Sequence, residues 1–270
     1  MLRPAACSRG WATANLPRMQ FASLKGQRII VTGGSSGIGR AVAISCAAAG
    51  ADIVVTYQQS ADRADTVAGE IREHGVQASV LPLILQDAES RQEFVTQCTR
   101  TGPIDGLVNN AGVDLLTSSA RDLDYLQKLQ LLLAADVEGT VALSRSVAPV
   151  MNERGRGSIL NIGWDQSDRG MGGDSGELFA TAKNAIMGFT RSLAVSLAPA
   201  VRVNCIAPGW IQTAWGESAS DYWQQRVMDE TPLKRWGTPE DIAHLARFLL
   251  SEEAGFMTGQ VINVNGGAVR

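Results

Sequence analysis

The chain holds 270 residues, 45% of them apolar, and its 24 basic side chains against 27 acidic ones leave a net charge of −3. Such a length buries a substantial core in one large domain or two small ones, the near balance of charge argues against nucleic acid or an anionic membrane as partner, and no apolar run reaches the roughly 18 residues of a membrane span. Cys7, Cys46, Cys98 and Cys205 are scattered and only two histidines accompany them, so no disulfide framework or metal site is expected, and a reducing, cytoplasmic setting is.

In chain order, residues 1–24 carry Arg3, Arg9 and Arg18 and no acid. Organelle targeting segments share that bias, as do disordered tails and stretches upstream of a true start, here Met19; on each reading the folded domain is 25–270. From residue 27 short β-branched runs alternate with helical stretches. Strands are predicted at 28–32, 52–57, 78–85, 104–112 (running into a turn), 158–163, 201–207 and 260–267. Helices are predicted at 38–49, 60–74, 88–100, about 122–153, 177–198, 218–230 and 239–251. The alternation predicts an α/β fold with a doubly wound, mostly parallel sheet covered on both faces, in three layers. With no Pro/Gly/Ser linker and no internal repeat, the reading is a single domain.

The first chemistry-bearing stretch is TGGSSGIG (32–39), between the first strand and the first helix. A diphosphate needs backbone N–H groups at close range and the positive end of a helix dipole, and side chains would hold it off. The spacing, Gly33-x3-Gly37-x-Gly39, also suits a plain strand–helix turn, but its place at the first junction favours a nucleotide.

With that spacing, NNAG at 109–112, a residue-x3-Lys pair at 179 and 183, Pro208–Gly209 and VNGG at 264–267, the chain from about residue 25 to 270 resembles the short-chain dehydrogenase/reductase family. The resemblance implies a seven-stranded Rossmann sheet and NAD or NADP at the strand ends. It implies hydride exchange with the carbonyl or alcohol of a small-molecule substrate, and a homodimer or homotetramer paired through the 122–153 helix and the Lys183 helix. Residue by residue, it implies that Gly33, Ser35, Gly37, Ile38 and Gly39 form the pyrophosphate turn and that Asn109, Ala111 and Gly112 lie along the cofactor. Lys183 would hold the nicotinamide ribose, and Pro208, Gly209, Ile211 and Thr213 the carboxamide. The end of strand two, Thr56 to Ser60, offers no carboxylate for a ribose 2′-hydroxyl, and Arg40 and Arg63 are near in sequence, which favours NADP. Where the family often places an Asp for the adenine amino group this chain has Ile84, with Asp87 close by.

The catalytic positions depart from the family's Asn, Ser, Tyr and Lys. They fall on Asp136, Trp164, Phe179 and Lys183, with about two extra residues between Trp164 and Phe179. Lys183 and Asp136 are the catalytic candidates. Three readings stay open: an NAD(P)-binding regulatory or assembly protein without catalysis; acid/base work by Asp165, Ser167, Asp168, Asp174 or Glu177; or a shifted register in which Ser167 plays the serine. None restores the tyrosine, because no Tyr lies between Tyr125 and Tyr222, and a positioned acid or base contributes on the order of 10²–10⁴ in rate. Plainer roles exist for each: helix capping for Asp174, Ser175 and Glu177, loop polarity for Asp165 and Asp168, and pairing with Lys183 for Asp136. Five of the six tryptophans fall at 164, 210, 215, 223 and 236. In the family the stretch after Pro-Gly covers the substrate, so these rings suit a planar, apolar or sugar-like ligand, or else the packing of the cover or an oligomer interface.

Overall fold

The computed structural model describes residues 21–269. The basic stretch before residue 21, with Cys7 and Met19, lies outside the described residues. Seven strands form one sheet: β1 (Arg28–Val31), β2 (Asp52–Tyr57), β3 (Ala78–Pro82), β4 (Gly106–Asn109), β5 (Gly157–Ile162), β6 (Val201–Pro208) and β7 (Val261–Val264). Their order is β3-β2-β1-β4-β5-β6-β7 and every pairing is parallel. The order reverses between β1 and β4, and the crevice beyond the carboxyl ends of those strands is where such sheets bind ligands.

The sheet is buried on both sides because successive strand residues point to opposite faces. Ile29, Val31, Ile53, Val55, Val108, Leu160 and Ile206 face α1 (Gly37–Ala48), α2 (Ala61–Arg72) and α9 (Pro239–Leu250). Ile30, Val54, Leu107, Ile159 and Val203 face α3 (Ala88–Thr101), α5 (Thr140–Glu153) and α6 (Asp174–Leu197). Three layers and one continuous sheet agree with the expected doubly wound fold.

Three local expectations are corrected. The fold begins before residue 25: Leu24 is fully buried, Phe21 stacks on Phe248, and Arg247 donates to the carbonyls of Phe21 and Ala22. Apolar side chains and a cation from α9 anchor a segment that charge bias alone assigned to the tail. The single helix expected at 122–153 is three pieces: α4 (Tyr125–Leu132), a widened π-helical turn (Leu133–Gly139) and α5. At its end Gly139 leaves room for the Leu85 carbonyl, which a Cβ there would approach to 2.7 Å. Finally, α6 starts at Asp174 from Gly173, with no side-chain cap, so Asp174 and Glu177 are first-turn acids complementing the helix dipole rather than caps.

Candidate active site

The glycine turn joins β1 to α1. Gly33 and Gly37 hold φ of 61° and 52°, conformations that favour glycine. Gly39 is glycine for a different reason: a Cβ there would collide with the Gly33 carbonyl and the Asn110 amide. Elsewhere, helices receive a side-chain cap or an acidic first turn: α2 from Asp62, α3 from Asp87, α4 from Asp124, α6 from Asp174 and Glu177, α9 from Thr238. By contrast, Ser36 at the head of α1 makes no side-chain cap and the first turn carries no acid. Its N–H groups therefore keep their capacity for an anion. A Cβ on Gly37 would meet only Thr213, at 3.6 Å, so the turn and the stretch after Pro208–Gly209 face each other across one cleft. Main-chain donors, a bare glycine wall and an uncapped helix fit a dinucleotide diphosphate.

Thr32 organises the floor of this cleft. Its hydroxyl donates to the Val108 carbonyl at 3.2 Å and accepts from the backbone N–H of Asn110 and Ala111 at 2.9 and 3.0 Å. Ser35 and Ile38 line the turn, and Ile38 also packs on the core. Asn109 points into the fold: its amide donates to Ser144 Oγ and Asn161 Oδ1, both at 2.8 Å, and Asn161 donates to Thr190 at 2.9 Å. Asn109 thus ties β4 to β5, α5 and α6. Ile211 is likewise buried in the core, so only its backbone is available to a cofactor. Ile84 is exposed, and Asp87 is engaged as the cap of α3 by accepting from the Ser90 N–H at 3.0 Å.

The reaction end of the cleft is built around a buried ion pair. Lys183 Nζ donates to Asp136 Oδ2 at 3.1 Å, with the two side chains 17% and 1% exposed. The π-helical turn directs Asp136 inward, and the Val113 N–H donates to its other oxygen at 2.8 Å. Gly112 permits that approach, since a Cβ on it would lie 2.7 Å from Asp136 Oδ2. Pairing with Lys183, one of the readings the sequence offers for Asp136, is therefore present, and the NNAG motif helps to build it. Phe179, one helical turn before Lys183, meets Trp164 edge to face, with ring centroids 6.3 Å apart and planes at 73°.

The proposed replacement acids separate. Asp168 is exposed, and Glu177 accepts from the Tyr125 hydroxyl at 3.0 Å. Ser167 is buried with no partner for its hydroxyl, and its carbonyl accepts from Asn184 at 2.8 Å. Asp165 departs furthest from the expected loop residue, because it is fully buried. One of its oxygens accepts from Asn265 at 3.0 Å and the other has no partner. Burial pushes its carboxyl up to about 6 against the pull of the Asn265 hydrogen bond. It sits beneath the Pro-Gly turn: a Cβ on Gly209 would come within 3.3 Å of it. Sequence reasoning missed this Asp165–Asn265 contact; an acid directly after an apolar strand was the available signal.

The stretch after Pro208–Gly209, expected from the resemblance to cover the substrate, comprises α7 (Ala214–Ser218) and α8 (Asp221–Glu230). Trp210, Trp215, Trp223 and Trp236 cluster there at centroid separations of 5.5–6.4 Å. Trp210 donates to Glu230 at 3.1 Å and Trp236 to Gln224 at 2.7 Å. Four of the five late tryptophans thus form the cover's own core, and only Trp164 stands by Lys183's helix. Cys46, Cys98 and Cys205 are fully buried, and burial pushes the Cys46 and Cys205 thiols up to about 12 and Cys98 up to about 11, away from the thiolate form that reactive cysteines need. Among the described residues no group of three His, Cys, Asp or Glu could hold a metal ion, and no helix is long and apolar enough to cross a membrane.

Fold and cleft together define a dinucleotide-binding α/β protein. A family model described as enoyl-(acyl carrier protein) reductase matches residues 33–269. The chain is 38% identical over 250 residues to a 3-oxoacyl-[acyl-carrier-protein] reductase of Aquifex aeolicus, covering 90% of this chain and 98% of that protein. Among solved structures it is similar to a 7α-hydroxysteroid dehydrogenase complexed with NADH and 7-oxo glycochenodeoxycholic acid (TM-score 0.84, 33% identity, 92% of this chain and 96% of that one). It is also similar to a short-chain dehydrogenase from Burkholderia cenocepacia in complex with NADP (TM-score 0.82, 30% identity, 91% and 98%). The chain belongs to the short-chain dehydrogenase/reductase family, oxidoreductases that use NAD or NADP.

Proposed function

We propose that this oxidoreductase exchanges hydride with a carbonyl or alcohol carbon of a small organic molecule at a centre whose proton-transfer set differs from that of its family. Phe179 stands for the tyrosine, Trp164 for the serine and Asp136 for the asparagine; Lys183 is retained. The observation that carries the reading is the approach of Gly37 to Thr213 across a cleft headed by an uncapped helix. In this reading the first turn of α1 binds the diphosphate, and Gly33, Ser35, Gly37, Ile38 and Gly39 shape its bed. Ala111 and Gly112 flank the cofactor, and Pro208, Gly209, Ile211 and Thr213 hold the carboxamide through backbone and hydroxyl. The bound nicotinamide supplies or accepts the hydride. Lys183 orients the ribose from its pair with Asp136, while Trp164 and Phe179 exclude water and supply no proton.

The absence of a proton at residue 179 favours a second reading, a nucleotide-binding protein that performs no hydride transfer. Titration with NADPH and NADH followed by fluorescence, then a ketone screen, separates the two: binding with turnover supports the first, and binding without turnover of any carbonyl supports the second. NADP is the preferred cofactor in this reading because β2 ends without a carboxylate. In the structure Arg40 is paired with Glu70 and Arg63 with the Ser60 hydroxyl, so Glu70 must yield for Arg40 to reach a 2′-phosphate. Pairing with a second copy through the helices of 122–153 (α4 and α5) and through α6 belongs to the same proposal; Val195 on α6 is 81% exposed. Light scattering on the purified chain tests it, and a monomer contradicts it.

A further inference from the structure

The reaction end differs from its family's pattern in electrostatics as well as in proton supply. A lysine with a neutral asparagine and two hydroxyl donors is a net positive, hydrogen-bonding surround suited to an oxyanion. Here Asp136 cancels the charge of Lys183 at 3.1 Å, and the two hydroxyl positions are aromatic rings. Both rings are half-buried. Aromatic faces attract organic cations, by about 0.5–2 kcal/mol depending on desolvation. The protein uses this attraction elsewhere: Arg226 lies 4.9 Å from the ring centroid of Trp223 and 5.9 Å from that of Trp210. Among the described residues no arginine or lysine lies over Trp164 or Phe179.

Proton balance points the same way. A ketone needs a proton on oxygen as hydride arrives, and neither residue 164 nor residue 179 can give one. An iminium carbon, C=N⁺, takes a hydride with both its electrons from the reduced nicotinamide, which is oxidised in return. A C–H bond forms, the C=N π pair withdraws onto nitrogen and cancels its charge, and a neutral tertiary amine leaves. No proton moves at any stage.

We propose that the Trp164–Phe179 pair, beside a Lys183 neutralised by Asp136, is a binding site for an organic cation, and that this centre reduces cyclic iminium ions in preference to ketones. The binding half stands on the chain's own residues; the reduction rests on the hydride-transfer reading above.

The test begins with calorimetry on the full chain, using benzyltrimethylammonium, which cannot react, against its neutral carbon isostere neopentylbenzene. The expected preference for the cation is about tenfold. Phe179→Leu and Trp164→Leu, which keep apolar bulk without a ring, lower ammonium affinity by about fivefold each. Asp136→Asn, which keeps the acceptor for Val113, also weakens ammonium binding by about fivefold by leaving Lys183 uncancelled. Equal affinity for the cation and its isostere, or ammonium binding untouched by all three variants with the fold intact by circular dichroism, overturns the site. The second arm follows NADPH oxidation with N-methyl-dihydroisoquinolinium and with tetralone. Faster turnover of the iminium is expected. A ketone turned over as fast overturns the preference and leaves the hydride-transfer reading standing; no turnover of either, with NADPH bound, overturns both.

Discussion

The two ends of the cleft are built from different materials. The cofactor end, from β1 to β4, relies on main chain: positive-φ glycines, an uncapped helix and the Thr32 hydroxyl holding two backbone N–H groups. The reaction end, from the π-helical turn after α4 onward, relies on side chains: the Lys183–Asp136 pair, the Trp164–Phe179 rings, the buried Asp165 and the tryptophan cluster. A backbone cradle tolerates little change because an added Cβ collides at Gly33 and Gly39 and is strained by positive φ at Gly33 and Gly37, whereas a side-chain centre can be rebuilt by substitution without moving the scaffold. Within one chain, cofactor binding and proton transfer can therefore diverge independently.

The largest expected effect lies at the reaction end. Asp136→Ala leaves Lys183 mostly buried without its partner and the Val113 N–H without an acceptor, a loss of about 4 kcal/mol by urea unfolding. An unchanged midpoint would mean that the pair contributes nothing to holding this end together.

Asp165 gives the next effect through pH. Burial raises its carboxyl from the ordinary 3.8 to about 6 in the folded protein, so stability is fully present below the unfolded value and is lost as pH rises through the folded one. From pH 4 to 7 the expected loss from this group is on the order of 3 kcal/mol. Asp165→Asn keeps an acceptor for Asn265 and removes that slope; a wild-type-minus-variant difference that is flat across the range contradicts the assignment.

At the cofactor end, Gly39→Ala forces the turn away from the Gly33 carbonyl at a cost of about 2 kcal/mol. NADPH affinity falls with it, while Asp136 and Lys183 stay paired. Wild-type affinity in this variant would sink the idea of a backbone cradle. The smallest effect belongs to Glu70→Gln. The half-exposed Arg40–Glu70 pair is worth under about 1 kcal/mol, and releasing Arg40 raises affinity for NADPH relative to NADH, measured by paired titrations.

The contrast also explains what the sequence reveals. Alternating apolar strands announce the doubly wound sheet, and glycines at a strand–helix junction announce the cradle, because local backbone rules dictate both. The Asp136–Lys183 pair was legible as an expectation, for acid and base fall where the family's active residues align. The Asp165–Asn265 contact was not, because it spans 100 residues and depends on how the β7 end folds under the Pro-Gly turn. Nor was the fate of the tryptophans: composition places them in the cover, but only packing decides that four face one another. The widened turn at 133–139 escaped a helix periodicity that runs smoothly through it.

The most direct test of independent ends is to restore the missing donors without touching the cradle. Trp164→Ser with Phe179→Tyr, measured by NADPH titration and ketone reduction, should leave cofactor affinity unchanged and raise ketone turnover by about 10²-fold or more. Unchanged ketone turnover with NADPH bound and the fold intact, or a collapse of NADPH affinity in the double variant, would contradict the account.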